Sequence, residues 1–351
     1  MTYQSPVQAN DFHPDTQAYF AGACVAVTGG SGFVGSHVVE QLLALGARVI
    51  VPSRQAPSPP FLAHLSDRID VRPCDFQHRS HAKPSIDGAD VVMNLAASVA
   101  GIEYNATHPE TVFRDNMRTF LNVMEAALQV QARRFLVVSS ACIYPRHCLV
   151  PTPETEGFAD SPEPTNAGYG WAKRMEEYAA AAAVKEHGLE VAIARPYNAY
   201  GPRDNFNPVS SHVLPALILK ADETTDGTLP VWGDGTPTRS FLYVDDFARG
   251  LIEVTARYAA ADPINIGASE EVSIGTVAAM VAEIVGRRRG TVITPTFMPT
   301  SLTGQPRRDC DTTKLVSALG FQPNVGLREG LERSVSWFLE NRELALIAHH
   351  Q

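Results

Sequence analysis

The sequence predicts an α/β protein: a Rossmann-type, doubly wound parallel sheet with a smaller, mostly C-terminal α/β domain. Three observations predict it. Apolar runs of strand length alternate with helical patterns through the first 195 residues. A glycine-rich turn joins the first of those runs to the first long helix. After Arg195-Pro196 the pattern changes to long loops rich in Pro, Gly and Asp, followed by short helices. Strands separated by helices pair in parallel through right-handed crossovers.

The elements follow in order. Strands are predicted over 24–28, 48–51, 69–73, 90–95, 134–139 and 190–194. Between the first two, Val34, Val38, Leu42 and Leu45 make one apolar stripe of a helix over 33–45. Val112, Phe113, Met117, Phe120, Leu121, Met124 and Leu128 do the same over 112–128. The alanine-rich segment 172–187 is helix-forming sequence. Beyond residue 196, short helices are expected over 213–220, 246–258, 274–285 and 327–340. Residues 1–20 read as a polar extension without the apolar centre of a leader peptide.

Composition narrows the function classes. A formal charge of −9 leaves no basic footprint for nucleic acid. No apolar run reaches membrane-spanning length. Five cysteines at 24, 74, 142, 148 and 310, an odd number without tight pairing, favour a reducing compartment, so a cytoplasmic protein is expected. Cys24 and Cys74 fall in predicted strands and read as core packing. His147 and Cys148 lack further ligand-type neighbours, so no metal site is expected.

The first chemical motif is Thr28-Gly29-Gly30-Ser31-Gly32-Phe33-Val34-Gly35, between a strand and a helix. Glycines let backbone approach a pyrophosphate, and the helix start supplies free N–H donors to it. The second strand ends in Val51-Pro52-Ser53-Arg54, where NAD-binding folds usually carry an acid. An arginine there suits a ribose 2′-phosphate, so NADP(H) is favoured and NAD(H) stays an alternative. Asp75, after the third strand, is placed to accept from an adenine amino group or to form a turn.

The second motif is Tyr169-Gly-Trp-Ala-Lys173, with Ser140 at the end of the fifth strand. Tyr169 and Lys173 are one helical turn apart. A nearby ammonium is expected to lower the tyrosine from its usual pKa of about 10 and make it an acid/base. Ser140 is placed to hold the reacting oxygen.

These residues resemble the extended short-chain dehydrogenase/reductases, the nucleotide-sugar epimerase/dehydratase group, over residues 22–342. Asn94-Leu-Ala-Ala97, Asp115-Asn116, Gly201-Pro202, Arg239-Ser-Phe-Leu-Tyr-Val-Asp-Asp246 and Gly304-Gln-Pro-Arg307-Arg308 support the resemblance. It implies cofactor contacts at Gly29, Gly32, Phe33, Val34, Gly35, Ser53, Arg54, Asp75, Phe76, Leu95, Ala96, Asn116, Tyr169 and Lys173. It implies sugar-nucleotide contacts at Asn198, Arg203, Val213, Trp232, Arg239 and Arg307, the last two at a diphosphate, for which guanidinium forks are suited. It also implies a homodimer packed through the helices at 112–128 and 172–187. The domains it implies are 21–195 for NADP and 196–351 mostly for the nucleotide sugar, with about 240–267 returning to the first domain.

Within that group, Ser140-Ala-Cys142-Ile-Tyr144-Pro145 and the run from Arg203 to Leu217 containing His212 resemble the GDP-L-fucose synthases. The first run is also similar to that of the GDP-mannose 3,5-epimerases. The resemblance implies Cys142 and His212 as base and acid of an epimerisation, on a GDP- or other nucleotide-linked 4-keto-6-deoxyhexose, beside the hydride site of Ser140, Tyr169 and Lys173. A C4 ketone acidifies the C3 and C5 hydrogens, and inversion needs two groups on opposite faces. A thiol with a usual pKa of about 8.5 and an imidazole suit those tasks. An epimerase that retains NAD(P) without net redox, and a non-catalytic nucleotide-sugar or NADP-binding protein, are the alternatives.

Overall fold

The computed structural model describes residues 3–99, 101–208, 210–299 and 305–347. Val209 and Gly304, in two of the motif runs, and the terminal His349-His350 lie outside the described residues.

Seven strands form the main sheet: β1 (Cys24–Thr28), β2 (Arg48–Ser53), β3 (Ile69–Pro73), β4 (Val91–Asn94), β5 (Arg134–Val138), β6 (Glu190–Pro196) and, later in the chain, Ile264–Ile266. Their spatial order is β3-β2-β1-β4-β5-β6 and then Ile264–Ile266, with every pairing parallel. The order reverses direction between β1 and β4, the switch point at which open α/β sheets bind ligands.

The helices of this part are α1 (Pro14–Phe20), α2 (Phe33–Ala44), α3 (Arg79–Ile86), α4 (Ile102–Thr107), α5 (Pro109–Gln129) and α6 (Ala167–His187). β1 is buried along its whole length, because both faces of the sheet are covered. Val25 and Val27 join the core shared with α2. Cys24 and Ala26 join the core shared with α5 and α6, as period-two alternation requires. Cys74, expected in a strand, follows β3 directly and packs in that second core. Helix α6 begins at Ala167 rather than 172, so Tyr169 and Lys173 lie in its first two turns.

The chain then forms β7 (Asn198–Tyr200), α7 (Val213–Glu223), β8 (Thr228–Trp232), β9 (Thr238–Tyr243) and α8 (Val244–Arg257). Helix α8 packs against α2 and its apolar face joins the core of the main sheet. Ile264–Ile266, which we label β10, extends that sheet beside β6. A smaller sheet is centred on β9, flanked by Glu271–Ser273 and Arg307–Arg308, with β7 also paired to β9. It shares a separate core with α7, Ile274–Arg289 and Leu327–Glu340.

The N-terminal extension is built into the fold. The Tyr3 hydroxyl donates to Asp245 Oδ2 at 2.6 Å, and Ser5 Oγ donates to Asp245 Oδ1 at 2.7 Å. The His13 backbone and the Thr16 hydroxyl hold both oxygens of Glu253 at 2.8 and 2.6 Å. Phe12 and Phe20 are buried in the main core. Buried His37 sits 2.9 Å from Asp245 Oδ1, so α2, α8 and the extension meet at one carboxylate. Burial pushes the Asp245 pKa up, but the contact with His37 and the donors Tyr3 and Ser5 outweigh it and hold it below the ordinary value. Its stabilisation is therefore present above the usual carboxylate pKa and is lost as pH falls through the lowered one. Asp245→Asn is expected to cost roughly 1.5–3 kcal/mol, the range for hydrogen bonds to a charged group. The check is a lower urea midpoint with an unchanged m-value.

Candidate active site

The glycine turn lies at the switch point. Thr28 pairs in register with Asn94, and the Thr28 hydroxyl donates to Asn94 Oδ1 at 2.7 Å and accepts from the Ala96 backbone at 3.1 Å. This sets Gly29 against Leu95 and Ala96. Gly32 begins α2 without a side-chain cap, which leaves the first N–H groups of the helix available to an anion. A Cβ on Gly35 would fall 2.1 Å from the Gly29 carbonyl oxygen, so turn and helix are in backbone contact. Phe33 and Val34 are partly buried and pack inward from the first turn of α2.

The remaining cofactor candidates surround that turn. Ser53 is buried at the end of β2, and its hydroxyl reaches Ser31 Oγ at 3.0 Å and caps the Gln55 N–H. Arg54 beside it is exposed. Asp75 spends one carboxylate oxygen on the Gln77 N–H at 3.0 Å, the turn role, and its other oxygen lies 3.9 Å from His78. The Phe76 ring is core packing. Buried Asn116 grips both the N–H and the carbonyl of Ser98, at 2.9 and 3.0 Å, and so anchors the loop that begins at Leu95.

Helix α6 carries Tyr169 and Lys173 against the turn after β5. Arg174 donates to the Ile143 carbonyl through Nε and Nη2 at 3.0 and 2.7 Å, which ties that turn to the helix. A Cβ on Gly170 would meet the Cys142 carbonyl at 2.5 Å, so glycine permits the close approach. Ser140 Oγ accepts from the Cys142 N–H at 3.1 Å and retains its own proton for donation. Ser140, Cys142, Tyr169 and Lys173 are thus brought together.

Tyr169 differs from expectation. Burial raises its pKa well above the ordinary value, and the neighbouring Cys142 and Glu176 raise it further. Lys173 Nζ lies 5.5 Å from the Tyr169 ring centroid, but it donates to Glu176 Oε2 at 2.9 Å, with both side chains 2% exposed. The lysine's charge is spent on a carboxylate that the motif did not reveal.

Cys142 is half-buried, and Arg308 Nη1 donates to its sulfur at 3.8 Å. Arg308 stands opposite Arg239 in the parallel pairing of Arg307–Arg308 with β9. Burial, and then the Arg308 charge, lower Arg239 to about 10, while Glu163 and Cys142 pull it the other way. Two guanidiniums held together in this way are matched to a polyanion. Arg307 points elsewhere: Nε and Nη2 hold both oxygens of Glu271 at 2.9 and 2.6 Å in an exposed ion pair. Adjacent strand residues face opposite sides, so Arg308, not Arg307, joins Arg239.

Arg203 also departs from expectation. It is 2% exposed, and Nη2 donates to Glu40 and to the Tyr3 carbonyl, both at 2.6 Å. Its charge is engaged inside the fold by α2 and the N-terminal extension. Asn198 donates to the Ser240 carbonyl at 2.9 Å. Trp232 is 65% exposed, with Lys220 Nζ 4.8 Å above its ring. Val213 opens α7, and His212 occupies its N-cap position without capping it. The residue is exposed, and desolvation lowers the pKa of its imidazole.

Comparison with known proteins decides the family. Residues 25–267 match the NAD dependent epimerase/dehydratase family. The chain belongs to that family. This epimerase/dehydratase-family chain is 35% identical to GDP-L-fucose synthase 1 of Arabidopsis thaliana over 91% of its own length and 94% of the relative's. It is 32% identical to dTDP-4-dehydro-6-deoxy-D-allose reductase of Streptomyces bikiniensis, over 91% and 97% of the two chains. In three dimensions it is similar to an epimerase of Methanothermobacter thermautotrophicus, with TM-score 0.83 and 27% identity over 95% and 98% of the two chains. Membership makes it an enzyme fold for a nicotinamide cofactor, which the glycine turn, free helix start and Gly35 contact fit. Among the described residues, no helix is long and apolar enough to cross a membrane.

Proposed function

We propose that the protein is an NADP(H)-dependent nucleotide-sugar epimerase/reductase. Its substrate is a 4-keto-6-deoxyhexose on a nucleoside diphosphate, with GDP favoured; it inverts C3, C5 or both, then reduces C4. The convergence of Cys142, Tyr169 and the Arg239–Arg308 pair at one end of the sheet carries this reading. The arginine pair holds the diphosphate, and Trp232, Asn198 and Val213 line the sugar-nucleotide side. Cys142 removes the proton beside the ketone, and His212 supplies one to the opposite face. Ser140 and Tyr169 hydrogen-bond the enolate oxygen. Arg308 stabilises the negative charge on the sulfur. Bound NADPH supplies the hydride for C4. Tyr169 donates its proton to the C4 oxygen, completing the alcohol.

The relatives named as a GDP-L-fucose synthase and a dTDP-linked deoxysugar reductase support a nucleotide-linked deoxysugar. Residues 21–195 and 240–267 are assigned to the cofactor and the rest of 196–351 to the sugar nucleotide. Phe113 and Leu121 on α5, with Trp171 and Tyr178 on α6, expose apolar surface on two mutually packed helices. That stripe supports a homodimer. Five free cysteines support a reducing, cytoplasmic setting.

The test is incubation with GDP-4-keto-6-deoxymannose in deuterated water, with and without NADPH, followed by NMR and nicotinamide absorbance. Deuterium at C3 or C5 without NADPH, and stoichiometric NADPH oxidation on its addition, are expected. Exchange without nicotinamide consumption would assign an epimerase lacking net redox. NADPH binding with neither exchange nor reduction would assign a binding protein. The cofactor preference has its own test. Arg54→Asp is expected to weaken NADPH binding at least tenfold while changing NADH binding little, because only the former carries the 2′-phosphate. Fluorescence titration with both nucleotides checks this, and equal losses overturn the assignment.

A further inference from the structure

Glu176 is a buried carboxylate that no part of the proposed mechanism uses. It is buried, and its partner is the Lys173 ammonium at 2.9 Å, one turn along α6. The neighbouring Glu177 is committed elsewhere: it holds Arg195 through both oxygens, at 2.9 and 2.8 Å, and accepts from the Ser139 hydroxyl at 2.5 Å. Two adjacent glutamates thus serve separate partners, one structural and one beside the hydride site.

We propose that Glu176 is a positioning residue that, through its buried ion pair with Lys173, offsets the ammonium charge beside Tyr169 and so biases the site toward delivering a proton to a ketone. The inference rests on the Tyr169 role given above and deepens it. An ammonium beside a phenol favours the phenolate, and a carboxylate paired with that ammonium cancels much of its pull. The pair therefore opposes the tyrosinate that alcohol oxidation requires.

Burial pushes the Glu176 carboxyl up to about 7, against the pull of Lys173 and with a smaller push from Glu177. The negative charge is therefore present above neutrality, including the alkaline range in which phenols ionise. Burial raises Tyr169 most, then Cys142 from the turn after β5, and then Glu176.

The first measurement needs no substrate. The tyrosinate absorbance of Tyr169 is taken as the difference between each protein and its Tyr169→Phe counterpart, titrated with NADP bound. Glu176→Gln is expected to bring that ionisation at least about one pH unit lower than in the wild type, the scale of a single nearby charge. In single-turnover oxidation of NADPH by the 4-keto sugar, the alkaline limb should move down with it, while the acid-side rate changes little. Coincident titrations, or no displacement of either, overturn the inference. If Glu176→Gln does not fold, Glu176→Met, which has similar length and no amide to satisfy, is read in the same way. Tyr169→Phe separates the two levels: if it reduces the 4-keto sugar at the wild-type rate, the site assignment fails. If it is inactive and the Glu176→Gln titration is unmoved, only the role of Glu176 fails.

Discussion

Cys142→Ser is expected to abolish exchange of solvent deuterium into C3 and C5 of the 4-keto sugar while leaving hydride transfer to the unepimerised ketone measurable. The loss should be at least about a hundredfold, the lower end of what a positioned general base contributes. Serine keeps the volume of the residue and its place in the turn capped by Ser140, so packing changes little. What it removes is an acid with a usual pKa of about 8.5 and puts in its place a hydroxyl far too basic to ionise. The hydride site remains, because Ser140, Tyr169 and Lys173 reach it from β5 and α6 independently of the sulfur. A cysteine that merely filled space would give the opposite result, with exchange at the wild-type rate. The setting argues for chemistry. The sulfur is half-buried and receives a guanidinium N–H, whereas Cys24 and Cys74 are enclosed among apolar side chains, where burial raises their thiols. NMR of the recovered sugar, with NADPH oxidation followed in parallel, separates the two reactions.

What the sequence made legible is what its local physics determines. The apolar runs of β1 and β4 mark strands covered on both faces, and the glycine turn between β1 and α2 announces a phosphate-binding helix start. Tyr169 and Lys173 are one turn apart on any helix. What stayed hidden depends on partners distant in the chain. Arg307 and Arg308 are equivalent as letters. The pairing of a two-residue strand with β9 decides that Arg308 faces Cys142 and Arg307 faces Glu271. Arg203 looked available to a sugar nucleotide, but Glu40 engages it from 163 positions away. The polar lettering of residues 3–20 concealed a segment that fastens α2 to α8. Glu176 and Glu177 differ by about 100° around α6, as 3.6 residues per turn requires. Only the packed structure says that one meets Lys173 and the other Arg195.

Gly35→Ala is expected to have the largest effect on cofactor binding, and the reason is geometric. The new methyl carbon would lie 2.1 Å from the Gly29 oxygen, 2.7 Å from the Gly29 carbonyl carbon and 2.7 Å from Gly30 Cα. All three are backbone atoms, so no rotamer relieves the overlap. One way out is for the turn to lift from α2, which pulls Gly29 away from Leu95 and Ala96 and opens the phosphate cradle. The other is for α2 to shift, against Val38, Val39 and Leu42 in the main core and the contact of His37 with Asp245. The second route carries the overpacking cost of about 1–3 kcal/mol, and the first sacrifices the donors that hold the pyrophosphate. NADPH affinity should therefore fall at least tenfold, about 1.4 kcal/mol, with a lower urea midpoint. Gly326 supplies the control. It precedes the helix Leu327–Glu340, its φ of −71° suits any residue, and a Cβ there would meet open space. Gly326→Ala should leave NADPH binding unchanged and cost stability at most about 1 kcal/mol, because Gly326 is the N-cap of that helix and alanine is the poorer cap. Equal NADPH affinities for the Gly35→Ala and Gly326→Ala proteins would mean that the turn does not hold the cofactor by its backbone.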